Sequence, residues 1–171
     1  MRSVLVVMLL AVSAFAQEQP GASPAPACGA NSANLDVKRD KSQHALLPPE
    51  SGKARVYFVQ DIGVVRCLGG CITTKIGLDG TWVGANQHNS YFSVSVEPGE
   101  HHVCASWQSG LPGIQHLAFV HFAAEAGKTY YFRTRAFGET NQQIFDLDTV
   151  DSDQAKYLIA TYPLSVSHPK P

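Results

Sequence analysis

An all-β fold, an antiparallel β-sandwich of seven to eight strands with one short C-terminal helix, is what this sequence predicts, on three observations. Short runs rich in β-branched and aromatic residues recur from Lys53 onward, bounded by Gly, Pro, Asn and Asp. Several alternate with the period of two that separates the faces of a strand. A single segment near the end carries a helix cap and helical spacing. The composition agrees: 44% of the 171 residues are hydrophobic, 16% are charged and the net charge is −1. Such a chain is too apolar for disorder and lacks the basic field that nucleic-acid binding needs. Its length suits one domain and leaves no room for a separate cofactor domain.

Taken in order, residues 1–16 read as a signal peptide. Met1 and Arg2 make a positive start, Val4 to Phe15 is apolar except for Ser13, and Ala14-Phe15-Ala16 has the small-x-small cleavage pattern. The run is too short to span a bilayer, and Cys28 lies too far beyond it for lipid attachment. A secreted or periplasmic location is expected. Residues 17–52 follow as a flexible leader and N-terminal extension, with a short strand at Asn34 to Lys38 and a turn at Pro48-Pro49.

The β-sandwich domain spans 53–162. Ala54 to Gln60 is the first strong strand; Ile72 to Asp79 leads through an Asp79-Gly80 turn, a strong hairpin signal, into Thr81 to Ala85. Ser90 to Val96 alternates, with Phe92, Val94 and Val96 on one face and Tyr91, Ser93 and Ser95 on the other. A Glu97-Pro98-Gly99-Glu100 turn precedes His101 to Gln108. Ile114 to Ala124 is apolar on both parities and reads as a central strand, after which Thr129 to Phe137 and Gln142 to Val150 complete the set. The helix starts at a cap, Asp151 or Ser152, places Tyr157, Leu158 and Thr161 on one side, and ends before Pro163. Residues 163–171 remain as a C-terminal tail.

Export decides how the cysteines are read. Four at positions 28, 67, 71 and 104 favour disulfides over metal thiolates in an oxidising compartment. Of three connectivities, Cys67–Cys71 with Cys28–Cys104 is favoured, because Gly69 and Gly70 let the short loop curl. The second bridge would strap the leader over the outer face that carries Cys104. A thiol-redox role for Cys67 and Cys71 is the lesser alternative, since no helix start follows to lower a thiol pKa.

Four segments together resemble a known family. Gly77-Leu78-Asp79-Gly80-Thr81-Trp82-Val83-Gly84-Ala85-Asn86, Asn89-Ser90-Tyr91-Phe92, Val96-Glu97-Pro98-Gly99-Glu100-His101-His102 and Glu125-Ala126-Gly127-Lys128-Thr129-Tyr130-Tyr131-Phe132-Arg133 are similar to the bacterial domain of unknown function 2846. The resemblance covers about residues 53 to 162 and implies an exported, prealbumin-like β-sandwich. It implies no activity, cofactor or catalytic residue.

Catalytic patterns are sparse. No G-x-S-x-G elbow, phosphate loop or H-E-x-x-H spacing occurs. His101 and His102 point to opposite faces of a strand, so a metal centre would need residues from several strands, such as His88, His101 and His116 or His121. Asp146, Asp148, Asp151 and Asp153 form an acidic corner, for which helix capping is a simpler role than calcium binding. Strand parity instead nominates a binding face: Tyr131, Arg133 and Arg135 project together, with Tyr91 from another strand. Trp82 and the loop containing His88 make a second contact area. The expected function is therefore that of a non-catalytic exported binding or envelope-associated module, with an envelope protein or glycan as partner, no nucleic acid, no membrane span, no cofactor and no committed metal ligand. A histidine-based metal-binding protein is the alternative.

Overall fold

The computed structural model describes residues 27–29, 33–44, 46–62, 72–108, 116–139 and 142–170. They form β1 (Leu35–Asp40), β2 (Ala54–Gln60), β3 (Thr73–Leu78), β4 (Thr81–Gln87), β5 (Ser90–Val96), β6 (Gly99–Gln108), β7 (Leu117–Ala124), β8 (Thr129–Glu139), β9 (Gln142–Thr149), α1 (Ser152–Thr161) and β10 (Leu164–Pro169). The expected signal peptide and the Cys67–Cys71 bridge lie outside the described residues.

Two sheets stack, one of six strands in the order β1-β10-β5-β2-β8-β9 and one of four in the order β4-β3-β6-β7. The fold is the all-β sandwich that periodicity implies, with ten strands among the described residues rather than seven or eight. The additions come from the ends. β1 and β10 pair with each other from Leu35 opposite Pro169 to Asp40 opposite Leu164, so part of the leader and the expected tail complete one sheet edge. β1 overlaps the short strand expected at Asn34 to Lys38, although its charged LDVKRD run gives no sign of its partner, whereas β10 falls in the expected tail because LSVSHP is short and ends in proline. Pairing is antiparallel except between β2 and β8 and between β10 and β5. From β2 the chain crosses to β3 and β4 of the smaller sheet, returns as β5 antiparallel to β2, crosses again to β6 and β7, and comes back as β8 parallel to β2.

Alternation places the core between the sheets. Val56 and Phe58 of β2, Phe92 and Val96 of β5 and Phe132 of β8 meet Ile76, Val103 and Ala105 of the smaller sheet. The Phe58 ring lies 5.3 Å from Phe92 and 5.9 Å from Phe132, while Phe122 reaches Phe132 from the opposite sheet at 5.0 Å. Each such ring contributes about 1.5 to 3 kcal/mol by leaving water. The β3–β4 hairpin turns at Asp79 and Gly80, both at positive φ (49° and 83°), as its Asp-Gly pair leads one to expect.

β2 is buried along its whole length because its other face is covered too. There Tyr57, Val59 and Tyr91 pack against Leu158 and Ile159 of α1. Asp151 caps the helix by accepting from the amides of Asp153 (2.9 Å) and Gln154 (3.3 Å). The buried stripe is Ala155, Leu158 and Ile159 rather than the expected Tyr157, Leu158 and Thr161; Tyr157 is 70% exposed. A further correction concerns β7. Its apolar character on both parities reads as a central strand, yet it is the edge of the smaller sheet.

Candidate functional site

The face nominated by parity is largely closed. Tyr91 and Tyr131 do lie opposite the core, but Tyr91 is only 1% exposed and Tyr131 stacks on Tyr57 at 5.6 Å, under the layer made by α1. Burial, with Tyr57 alongside, raises the pKa of both hydroxyls above the ordinary phenol value. Gln43 and Leu47 extend the cover: the Tyr57 hydroxyl accepts from the Leu47 amide at 2.5 Å and donates to its carbonyl at 3.1 Å, and Tyr91 donates to the Gln43 carbonyl at 3.3 Å. The His44 ring sits 3.1 Å from the Tyr162 carbonyl, tying this segment to the end of the helix.

The arginines on that face are engaged internally. Arg133 lies 3.8 Å from the Asp61 carboxylate, to which the Tyr162 hydroxyl donates at 2.8 Å. Burial and that hydrogen bond raise the Tyr162 pKa far above the usual phenol range. Arg135 holds Asp148 at 2.5 Å and Asp146 at 3.6 Å, which occupies the acidic corner with a cation supplied by the protein itself. Although partial burial opposes ionisation of Asp148, the Arg135 hydrogen bond keeps its pKa below the ordinary carboxylate value. A free anion-binding Tyr-Arg face is thus not what these residues form.

Trp82 and His88 are also not one contact area. They stand at opposite ends of β4, about 20 Å apart at a strand's rise per residue. Trp82 faces outward beneath the leader: the Lys75 ammonium lies 4.5 Å above its ring, and Lys75 donates to the Ala33 carbonyl at 2.6 Å. A β-carbon on Gly29 would come within 2.5 Å of the indole. His88 occupies the β4–β5 turn at a φ of 54°, where burial and the nearby Arg39 charge depress its pKa.

Cys28 stands at disulfide distance from Cys104, with a Cα–Cα separation of 5.1 Å. Residues 27–29 therefore strap the outer side of β3 and β6, burying Cys104 completely. The close approach of Gly29 in the strap to Gly77 of β3 has little signal in the sequence beyond small residues beside a cysteine and on a facing strand.

The histidines are dispersed. His101 contacts Asp79 at 2.6 Å and the Glu97 carbonyl at 2.7 Å, His102 pairs with His121 across β6 and β7 at 6.2 Å between rings, and His116 stacks on Trp107 at 4.7 Å. Among the described residues no group of three His, Cys, Asp or Glu side chains is placed to hold a metal, so the trio of His88, His101 and His116 or His121 is not assembled.

Among the described residues, large apolar side chains are exposed at Leu46, Leu47, Tyr157 and Val166 and, on one strand together, along the outer side of β7. Phe119 is 62% exposed and Leu117 42% exposed, with His121 on the same face and His102 beside it. The sequence concealed them because a strand apolar on both sides looks buried on both.

One end of the sandwich interior is polar. Gln60, Thr74, Asn86, Ser90 and Thr134 are all buried there. Asn86 donates to the Phe58 carbonyl and Gln60 to the Ile72 carbonyl, both at 3.0 Å, which ties the two sheets together. Among the described residues Gln60 Oε1, Thr74 Oγ1 and Thr134 Oγ1 have no hydrogen-bond partner.

Comparison with known proteins finds one family model, described as protein of unknown function (DUF2846), matching residues 50–146. No curated protein and no solved structure matches the chain. The match runs from the turn before β2 into β9; β1, α1, β10 and Cys28 fall outside it.

Proposed function

The chain belongs to the DUF2846 family, whose description carries no activity, and on that premise we propose that it is a non-catalytic, exported binding module. Its contact surface is the outer side of β7, centred on Phe119 and Leu117, with His121 and the neighbouring His102 of β6. The observation that carries this reading is the contrast between the two outer faces. Tyr57, Val59 and Tyr91 of the larger sheet are sealed beneath α1, while large apolar side chains on β7 stay in water. Keeping Phe119 exposed forgoes about 1 to 3 kcal/mol of burial, a cost that a contact surface recovers on binding. The partner is an apolar patch on another exported protein, since none of these four side chains is an acid, lysine or arginine.

Export is supported by the Cys28–Cys104 pair, which suits an oxidising compartment. No described helix is long and apolar enough to cross a membrane. A non-catalytic role is supported by the engagement of the polar groups described above: His101 with Asp79, Arg135 with Asp146 and Asp148, Asp61 with Tyr162.

The test is capture from the native envelope fraction followed by identification of proteins other than the bait. Phe119→Asp with Leu117→Ser should lose the partner while keeping its melting temperature, and Tyr157→Ser, distant and equally exposed, should retain it. Equal capture by all three proteins would remove this face from consideration.

A further inference from the structure

We propose that β7 pairs antiparallel with β7 of a second copy of this chain, about a two-fold axis at Val120, so that the smaller sheet continues across both copies. This goes beyond the binding face above: it concerns the backbone edge of the strand, not its outer side chains.

The direction of the backbone groups follows from the register. Trp107 donates to the His116 carbonyl at 3.0 Å, and Ser106 lies opposite Leu117, so position 116 begins the set bonded to β6. In an antiparallel ladder such pairs alternate. Ala118, Val120 and Phe122 therefore turn their N–H and C=O groups to β6, and Leu117, Phe119, His121 and Ala123 turn theirs to the open edge. Among the described residues β7 is hydrogen-bonded to β6 alone.

The other sheet edges are defended against a further strand. β1 carries Asp36, Lys38, Arg39 and Asp40. β4 has a register shift in its pairing with β3, and its Ala85 amide is taken by the Ser167 hydroxyl at 3.2 Å. β9 presents Asp146 and Asp148. Charges, bulges and covering segments are the means by which proteins keep edges unpaired. β7, LAFVHFAA, has no charged residue, no proline and no register shift against β6. It has the composition of a central strand in the position of an edge, and a strand from a second copy reconciles the two.

The chain's own chemistry suits that pairing. With the axis at Val120, Phe119 faces the second copy's His121 and Leu117 faces its Ala123. The β6–β7 ladder already sets imidazole against aromatic ring, as in His101 with Phe122 at 5.5 Å and His116 with Trp107 at 4.7 Å. No like charges meet, and the interface is isologous, so it closes at two copies.

Sedimentation of the disulfide-intact protein over about 1 to 100 µM should show a monomer passing to a dimer. Ala123→Pro removes one outward donor without touching a bond to β6, and Ala123→Lys adds a charge to the edge; each should weaken dimerisation at least tenfold with the melting temperature retained. Amide exchange at Leu117, Phe119, His121 and Ala123 should slow with concentration in the wild type. A monomer throughout that range, or a dimer unaffected by both variants with these four amides exchanging freely, would overturn the proposal. Partner capture by monomeric Ala123→Lys separates this result from the fate of the binding face.

Discussion

Gly77 lies directly beneath Ala27: a β-carbon on Gly77 would stand 2.7 Å from the Ala27 carbonyl oxygen and 3.0 Å from the Cys28 α-carbon. The strap and the sheet can touch only because position 77 has no side chain, and the contact is held by the cysteine pair and by the Gly80 amide, which donates to Ala27 at 3.3 Å.

Replacing Gly77 with valine should therefore push the strap from the sheet and destabilise the protein by about 1 to 3 kcal/mol, the usual cost of overpacking. Combined with Cys28→Ser, which frees the strap, the same substitution should cost far less. Denaturant melts of both single variants and the double variant give the coupling, and additive losses would show that the strap does not press on Gly77. Cys28→Ser alone should cost about 4 kcal/mol, the loop entropy of a bridge across a sequence separation of 76.

The Asp61–Tyr162 bond joins the end of β2 to the end of α1, with Arg133 beside it. Tyr162→Phe should lower stability by about 1 to 2 kcal/mol, because it leaves a partly buried carboxylate short of a donor. In an Asp61→Asn background the same change should matter less. If the two effects simply add in thermal melts, the hydrogen bond does not contribute to stability.

The His101–Asp79 pair gives stability a pH dependence of defined sign. Burial opposes protonation of His101, but the Glu97 carbonyl and Asp79 outweigh it and raise its pKa above 6.5. This contribution is complete below pH 6.5 and is lost as pH rises through the raised value. For Asp79, burial opposes ionisation, but the His102 amide and the His101 ring lower its pKa below 3.8. That contribution is present above 3.8 and disappears as pH falls through the lowered value. The pair is therefore most stabilising between about pH 4 and 6.5. His101→Gln should flatten the decline above that window in melting curves taken across pH, and an unchanged decline would assign it to another group.

Thr134 buries a hydroxyl oxygen with no partner among the described residues. Thr134→Val keeps its shape and removes the unpaired group, so it should be neutral or stabilising by up to about 1 kcal/mol. Asn86→Leu, by contrast, strips the Phe58 carbonyl of its donor and should destabilise. A clear loss of stability on Thr134→Val would show that the hydroxyl has a partner.

Local chemistry by itself determined much of this protein. The β-branched, alternating runs specify strands such as Ser90–Val96, Asp79-Gly80 specifies a hairpin, and Asp151 specifies a helix start, because period, turn dihedrals and capping depend on neighbours in the chain. Parity also separated Phe132 from Arg133 and Cys104 from Val103 correctly. What covers each outer face was decided only by tertiary structure. Tyr91 and Phe119 are both outward-facing aromatic residues on strands, yet one is sealed under α1 and the other stands in water. The same holds for the strand order, in which an apolar β7 takes an edge and charged β1 meets β10. Such placements depend on contacts between segments distant in the chain, for which burial is non-directional and period alone carries no address.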